Sequence, residues 1–260
     1  MNTLRRGSNE PDVILLQTYL DLEDIDGKFG KNTEIAVKKF QDEYKLGTDG
    51  IVGAKTWKEL HEQFDYYAKL SESDYKLVAE TLGVDLPTIK AVAEVEASGR
   101  GFENNRRPRI LFEGHIFWSR LKKCSMNPED FVEDHPGIIY PKWDRSKYLG
   151  GDKEWSRLEE AWKIKDSAAL ESASYGLFQI MGFNYSACGC KDVFEFVSKM
   201  FISEGEQLDL FCKFCQSLGL EKYLREHDWA GFARRYNGPE YAKNEYDTKL
   251  ASAFKKYSNN

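Results

Sequence analysis

The stretch DGKFGKNTEIAVKKFQDEYKLGTDGIVGAKT, residues 26–56, contains one pattern twice. DGKFGKNT (26–33) and DGIVGAKT (49–56) share the spacing D-G-x-x-G-x-x-T at a period of 23 residues. Asp-Gly favours a tight turn, the second glycine permits a positive φ or a close backbone approach, and threonine is a residue that caps helices. Each repeat therefore predicts a turn that starts a helix.

Apolar residues at helical spacing follow both repeats, and a shorter stripe precedes them. The three stripes are Val13, Leu16 and Leu20; Thr33, Val37, Phe40 and Tyr44; and Trp57, Leu60 and Phe64. A calcium loop in DLEDIDGKFG is excluded, because its sixth position must be glycine and the sixth residue from Asp24 is Phe29. The pattern predicts a small bundle of three short helices.

The segments LRRGSNEPDVILLQTYL, DGKFGKNTEIAVKKFQDEYKL and DGIVGAKTWKEL resemble the peptidoglycan-binding domain of many bacterial and phage cell-wall hydrolases. The resemblance covers residues 4–60 and implies a three-helix module that anchors its partner domain to the cell wall. It does not indicate which residues contact the wall. The polar stretch HEQFDYYAKLSESD (61–74) that follows predicts a domain boundary, with one domain at 1–67 and a second at 68–260.

Composition excludes several classes of protein. Charged residues make up 31% and hydrophobic residues 41% of the chain, which is typical of a soluble globular protein. The net charge of −6 argues against a nucleic-acid partner. No apolar run is long enough to cross a bilayer, and MNTLRRGSNEP lacks the apolar segment of a signal peptide. We expect a monomer that is made in a cytoplasm without membrane insertion.

The five cysteines do not indicate a disulfide framework, because their number is odd and the chain is expected to be made in a cytoplasm. The C-x-C at 188–190 and the C-x-x-C at 212–215 have spacings that zinc sites also use. The second pair, however, lies at helical spacing with Leu208 and Phe211, which is typical of buried thiols. We predict neither a metal nor a cofactor.

The stretch AVAEVEASGRGF (91–102) places two glutamates at the end of a predicted helix. At about 100° per residue, Glu96 falls in the apolar arc of the helix, whereas Glu94 falls beside Lys90 on the polar side. A carboxyl among apolar side chains has a raised pKa, which suits a general acid. The alternative is a structural Glu96 that caps a helix or pairs with a nearby arginine, of which the candidates are Arg100, Arg106 and Arg107.

Two later stretches favour the catalytic alternative. ASYGLFQIMGFNY (173–185) and FARRYNGPEYAKNEYDTKLA (232–251), together with a glutamate before Ser-Gly, are similar in order and spacing to the motifs of goose-type lysozymes and soluble lytic transglycosylases. A closer resemblance, over residues 71–258, is to the N-acetylmuramidase domain of modular phage endolysins. It rests on VEASGRGF, RPRILFEGHIFW, SYGLFQIMGFNY, SEGEQLDLF and the Tyr-Asn-Gly-Pro stretch.

This resemblance implies a mainly α protein, in which a small three-helix bundle is followed by a lysozyme-like, mostly helical catalytic domain. Glu96 matches the catalytic acid, which protonates the β-1,4 bond between N-acetylmuramic acid and N-acetylglucosamine in bacterial peptidoglycan. The residues that match the sugar groove are Ser174, Gln179, Tyr236 and Asn237.

The carboxylate opposite Glu96 is left open by the sequence. Glu113 in LFEGHIFW is a candidate that orients water or steadies Glu96, and an ion pair with Arg107 or Arg109 is the alternative. His115 has no companion for metal binding and is interpreted as a hydrogen-bonded core or groove residue.

Three other functions are alternatives to hydrolysis. A lytic transglycosylase results if the muramic 6-hydroxyl attacks instead of water. A non-catalytic wall-binding phage protein would lack the acid at the helix end. An amidase or peptidase needs zinc ligands or a Cys-His pair, and four scattered histidines do not supply them. As a phage lysin without a signal peptide, the protein would reach the periplasm after a separate protein opens the membrane, and its N-terminal module resembles that of lysins directed at Gram-negative hosts.

Overall fold

A computed structural model describes residues 1–64, 69–97, 99–103, 105–236, 238 and 245–259. Helices account for most of this part of the chain, so the predicted mainly α class is confirmed. The predicted boundary between residues 67 and 68 lies outside the described residues and stays a prediction. No helix among the described residues is long and apolar enough to cross a bilayer.

The N-terminal region is a bundle of α1 (Pro11–Tyr19), α2 (Lys31–Glu43) and α3 (Ala54–Gln63). The predicted stripes form its core, with Val13, Leu16, Val37 and Leu60 fully buried. The residues at the ends of the stripes, Leu20, Tyr44 and Phe64, are partly buried and pack against this core. The three-helix bundle is thus confirmed.

A buried glutamine explains the repeated motif. Gln17 Nε2 donates to Asp26 Oδ1 at 2.9 Å, and its Oε1 accepts from the Asp26 and Gly27 amides at 3.0 Å. Gln17 Nε2 also lies 3.4 Å from Thr33 Oγ1. The second repeat uses the equivalent residues Gln41, Asp49, Gly50 and Thr56.

The expected roles of the threonines and of the second glycines were wrong. The residues before α2 and α3 are Gly30 and Gly53, and neither helix has a side-chain cap at that position. Positive φ occurs instead at Gly27 and Gly50, the glycines that follow aspartate. A threonine three residues into the helix is buried, and its hydroxyl is used by the glutamine network.

The larger C-terminal region begins with α4 and α5, and both helix starts agree with the sequence. Ser71 forms a capping box with Asp74, and Asp85 caps α5 by accepting the Thr88 amide at 2.9 Å. Its helices are α4 (Glu72–Leu82), α5 (Leu86–Glu96), α6 (Gly114–Lys123), α7 (Lys153–Ile164), α8 (Asp166–Glu171), α9 (Val193–Met200), α10 (Glu204–Ser217), α11 (Glu221–Arg225), α12 (Trp229–Tyr236) and α13 (Tyr246–Ser258).

One small antiparallel sheet lies among these helices, with β1 (Ile110–Phe112), β2 (Ala173–Tyr175) and β3 (Ile180–Met181) in that order. Ser174 on the central strand is opposite Leu111 on one side and Met181 on the other. Successive strand residues point to opposite faces, so these three side chains share one face. Phe112 and Tyr175 are fully buried on the other face.

Candidate active site

The two glutamates near the end of α5, Glu94 and Glu96, differ in burial. Ile89, Val92 and Ala93 are buried on its inner face, and α13 and α4 pack against it. The helix ends at Glu96, and the backbone becomes extended at Ala97. Glu96 is therefore the last helical residue, at the edge of the buried surface.

Glu94 is exposed and held by α13. Lys256 Nζ and the Tyr257 hydroxyl each donate to Glu94 Oε2 at 2.6 Å, and these hydrogen bonds lower the pKa of Glu94. Lys90, the neighbour expected from helical phase, pairs instead with Glu72 at 2.8 Å. Glu94 is thus a structural residue that joins α5 to α13.

Glu96 is half-buried and lies within electrostatic range of two tyrosines. Burial first, and the charge of Glu96 next, raise the pKa of Tyr236 well above its ordinary value and also raise the pKa of Tyr246. Burial and the charges of Cys212 and then Glu96 raise the pKa of Cys215 in the same way. Both phenols are therefore neutral near pH 7.

Tyr236, a predicted groove residue, sits at the end of α12 in an aromatic cluster. Its ring stacks on Phe232 with centroids 5.6 Å apart and meets Phe211 edge-on at 5.4 Å. Its hydroxyl donates to the Phe178 carbonyl at 3.3 Å. Asn237, predicted beside it, lies outside the described residues.

Ser174 and Gln179 are brought together by the turn between β2 and β3. Ser174 Oγ donates to Gln179 Oε1 at 2.9 Å. Gln179 Nε2 donates to the Gly176 carbonyl at 2.8 Å, and Gln179 itself has a φ of 49°. The pair orders this turn on the sheet face shared with Leu111, and its contact with sugar stays a prediction.

Glu113 makes neither of the arginine pairs considered from the sequence. The Tyr148 hydroxyl donates to Glu113 Oε2 at 2.5 Å, and His115 Nδ1 lies 3.3 Å from the same oxygen. Burial first, and the hydrogen bond to Glu113 next, raise the pKa of Tyr148, so its hydroxyl is a neutral donor. Tyr148 was not found from the sequence, because no motif links it to a residue 35 positions away.

His115 departs from its expected role. Its Nδ1 is buried, but it makes no hydrogen bond with the part of the protein that the structure describes. His115 Nδ1 lies beside the Glu113 carboxylate without forming a hydrogen bond with it. His115 is thus a partly buried residue whose Nδ1 has no hydrogen-bond partner among the described residues.

Four of the cysteines are free and buried, and Cys124 is free and exposed. Burial, more than any neighbouring charge, raises the pKa of Cys190 to about 11 and that of Cys188 and Cys212 to about 12. Across the described ranges, no group of three or more histidine, cysteine or acidic residues is arranged to hold a metal ion.

Comparison with known proteins gives two family matches and one full-length structural match. Residues 85–258 match the N-acetylmuramidase family, and residues 9–60 match the peptidoglycan binding domain family. The chain is also similar to the crystal structure of a Burkholderia AP3 phage endolysin, with 40% sequence identity, a TM-score of 0.71 and complete coverage of both chains.

Proposed function

Because the chain belongs to the modular phage endolysins, with an N-terminal peptidoglycan binding domain and a C-terminal N-acetylmuramidase domain, we propose that Glu96 is its general acid. The C-terminal domain is a glycoside hydrolase of the muramidase type.

The observation that carries the proposal is the setting of Glu96 beside Tyr236 and Cys215, both neutral and buried. Partial burial beside neutral groups disfavours a carboxylate and favours the protonated carboxylic acid that a general acid needs. Glu94 has the opposite setting, since it is exposed and its pKa is lowered by two hydrogen bonds. Of the two glutamates, Glu96 is therefore the better candidate for the general acid.

The proposed bond is the β-1,4 link from N-acetylmuramic acid to N-acetylglucosamine. Glu96 would protonate the glycosidic oxygen as it leaves, and positive charge would develop on the muramic ring. We assign Ser174, Gln179, Tyr236 and Asn237 to the walls of the sugar groove. The ordered turn that holds Ser174 and Gln179 supports this assignment, because a rigid turn presents polar groups to a sugar at little entropic cost.

We propose that Glu113 orients the attacking water. Glu113 has an extended backbone two residues after Leu111, so it follows the sheet face that also carries Ser174. The Tyr148 hydroxyl occupies one of its oxygens and holds the carboxylate in one orientation. An anchored carboxylate whose other oxygen accepts no hydrogen bond from the described residues is the arrangement that a water-activating base needs.

The N-terminal domain would hold the enzyme on peptidoglycan while the groove cleaves glycan strands. The proposed place of action is the periplasmic side of the wall, which the enzyme reaches after the host membrane has been permeabilised.

The test is digestion of purified peptidoglycan by the wild type, Glu96→Gln and the matched control Glu94→Gln, with mass spectrometry of the fragments. Reducing muramic ends support the proposed hydrolysis, anhydro-muramic ends indicate transglycosylation, and reducing glucosamine ends contradict both. Glu96→Gln should lose at least a hundredfold in rate, in line with the loss of a general acid. If Glu94→Gln is the variant that loses activity, the assignment of the acid is wrong.

Glu113→Gln distinguishes attack on the muramic ring by water from attack by the muramic 6-hydroxyl. We expect a slower reaction with the same reducing ends, because the amide cannot take a proton from water. An unchanged rate would remove Glu113 from the mechanism. A shift to anhydro ends would mean that the muramic hydroxyl competes with water at this site.

A further inference from the structure

Residues 101–103 and 105–109, which lie between Glu96 and β1 in the chain, form a hairpin that reaches the N-terminal domain. Phe102 pairs with Pro108, and the Arg109 amide donates to the Gly101 carbonyl at 2.9 Å. The Glu103 amide donates to the Arg107 carbonyl at 2.8 Å. We name residues 101–109, of which Asn104 is not described, the coupling loop.

The tip of the coupling loop is inserted between the two domains. The Arg107 guanidinium donates from Nε to Asp12 Oδ1 of α1 at 2.9 Å, and a second of its nitrogens lies 2.8 Å from the same oxygen. Another nitrogen lies 2.8 Å from Glu159 of α7, and the guanidinium lies 5.1 Å from the Trp155 ring centre. Asp12 is 0% exposed, and Arg107 is the cation that pairs with it.

The base of the coupling loop contacts the start of α10 and the turn between β2 and β3. The Gly101 amide donates to Glu204 Oε1 at 2.8 Å, five residues after Glu96. The Arg109 carbonyl accepts the Gly176 amide at 2.8 Å, in the turn that carries Ser174 and Gln179. A side chain at position 101 has no space, because a Cβ there would lie 2.2 Å from Gln207 Oε1.

We propose that Arg107 is a positioning residue, through which docking of the peptidoglycan-binding domain orders the chain that follows Glu96. This rests on the proposed role of Glu96 as the acid. Separation of the domains would leave Asp12 and Arg107 without their main partners, at the energetic cost of an unpaired buried charge. The docked domain and the ordered loop therefore stabilise each other, so loosening the tip changes the geometry at the base.

A second interdomain contact provides a matched control. Trp162 Nε1 of α7 donates to Asn9 Oδ1 at 3.1 Å. This bond joins the same two domains, and it does not involve the coupling loop. Asn9→Ala therefore weakens the interface alone, whereas Asp12→Asn weakens the interface and releases the loop tip.

The experiment compares full-length wild type, Asp12→Asn and Asn9→Ala on soluble, uncross-linked peptidoglycan fragments of four sugars. The readouts are kcat, KM, thermal unfolding and binding to intact sacculi. We expect Asp12→Asn to lower kcat about tenfold, with KM and sacculus binding within about twofold of wild type. Asn9→Ala should leave kcat within about twofold. Equal kcat values for the two variants would overturn the proposal, as would a loss confined to sacculus binding.

Arg107→Lys keeps the test decisive if Asp12→Asn does not fold. Lysine keeps the charge beside Asp12 and loses the forked contact that also reaches Glu159. Its kcat should lie between those of wild type and Asp12→Asn, and a wild-type kcat would contradict the proposal. The two proposals fail separately: an active Glu96→Gln overturns the catalytic assignment, whereas an Asp12→Asn that matches Asn9→Ala overturns only the coupling.

Discussion

Substitution of Glu154 by glutamine tests the buried network that holds the sheet to the segment carrying Tyr148. Glu154 on α7 is 0% exposed and pairs with Arg157 at 2.7 Å. Its other contacts are backbone amides: Phe112 at 3.2 Å, Leu149 at 2.7 Å and Gly150 at 2.9 Å. One carboxylate therefore binds the end of β1, a surface loop and a buried cation.

The expected cost of Glu154→Gln is about 4 kcal/mol in the free energy of unfolding. Removing one charge of a buried pair costs about 3–5 kcal/mol, because the Arg157 cation stays in the interior. The NH2 group of the new glutamine side chain also faces backbone N–H donors. A buried donor is then left without an acceptor, which adds about 1–3 kcal/mol where water is excluded. Leu149 and Gly150 are exposed and can relax. This relaxation offsets the second contribution, so the total cost stays at about 4 kcal/mol, the middle of the first range.

Urea unfolding followed by tryptophan fluorescence measures this cost. The midpoint should fall while the slope with urea stays unchanged, as for a pure loss of stability. The melting temperature should fall by about 8–16 °C, since about 1 kcal/mol corresponds to about 2–4 °C in a domain of this size. Activity should fall as well, because the residues next to Tyr148 and Glu113 are released.

Glu160→Gln on the same helix is the matched control. Glu160 pairs with His135 at 2.7 Å and is 44% exposed, and a surface pair of this kind contributes about 0–1 kcal/mol. If Glu154→Gln loses less than about 1 kcal/mol, or no more than Glu160→Gln, the network does not hold the sheet.

The hydrogen bonds from Lys256 and Tyr257 lower the pKa of Glu94. The stability that Glu94 contributes is therefore present above about pH 4.5 and is lost as the pH falls through its folded-state pKa. Glu94→Gln should flatten this pH dependence in melting curves between about pH 3 and 6 while activity is retained. Burial lowers the pKa of His61 to about 4, so the unfolded chain takes up a proton at a higher pH than the folded protein does. The free energy of unfolding of the wild type should therefore fall as the pH drops from about 6.5 towards 4, and it should fall less in His61→Gln. Of the five cysteines, only the exposed Cys124 should react with iodoacetamide in the folded protein, and mass spectrometry of Cys124→Ser should detect no adduct until urea is added.

Much of the fold could be predicted because it depends on local spacing. The repeats and their apolar stripes predicted the three-helix bundle, and serine and aspartate marked the starts of α4 and α5. Helical phase also separated Glu94 from Glu96, since it depends only on positions along one helix. It did not predict the partners of Glu94, which come from α13, more than 160 residues away.

The threonine of each repeat has a partner that lies outside the repeat. The pattern D-G-x-x-G-x-x-T correctly predicts a turn before a helix, but its threonine does not cap that helix. Its actual partner is a glutamine from the preceding helix, outside the quoted motif. Buried polar groups need hydrogen-bond partners, and the fold supplies them from wherever the chain passes.

The sequence by itself determined the class of protein, its two modules, the helix that ends in Glu96 and the glutamate on the inner side of that helix. Each of these depends on residues within a few turns of one another or on motifs in a set order. Only the tertiary structure decided that Glu113 is held by Tyr148, that Arg107 bridges Asp12 and Glu159, and that Glu154 anchors β1. The physical reason is that a buried charge selects its partner by proximity in the folded interior, and separations of 35 to 95 residues along the chain carry no local signal of such contacts.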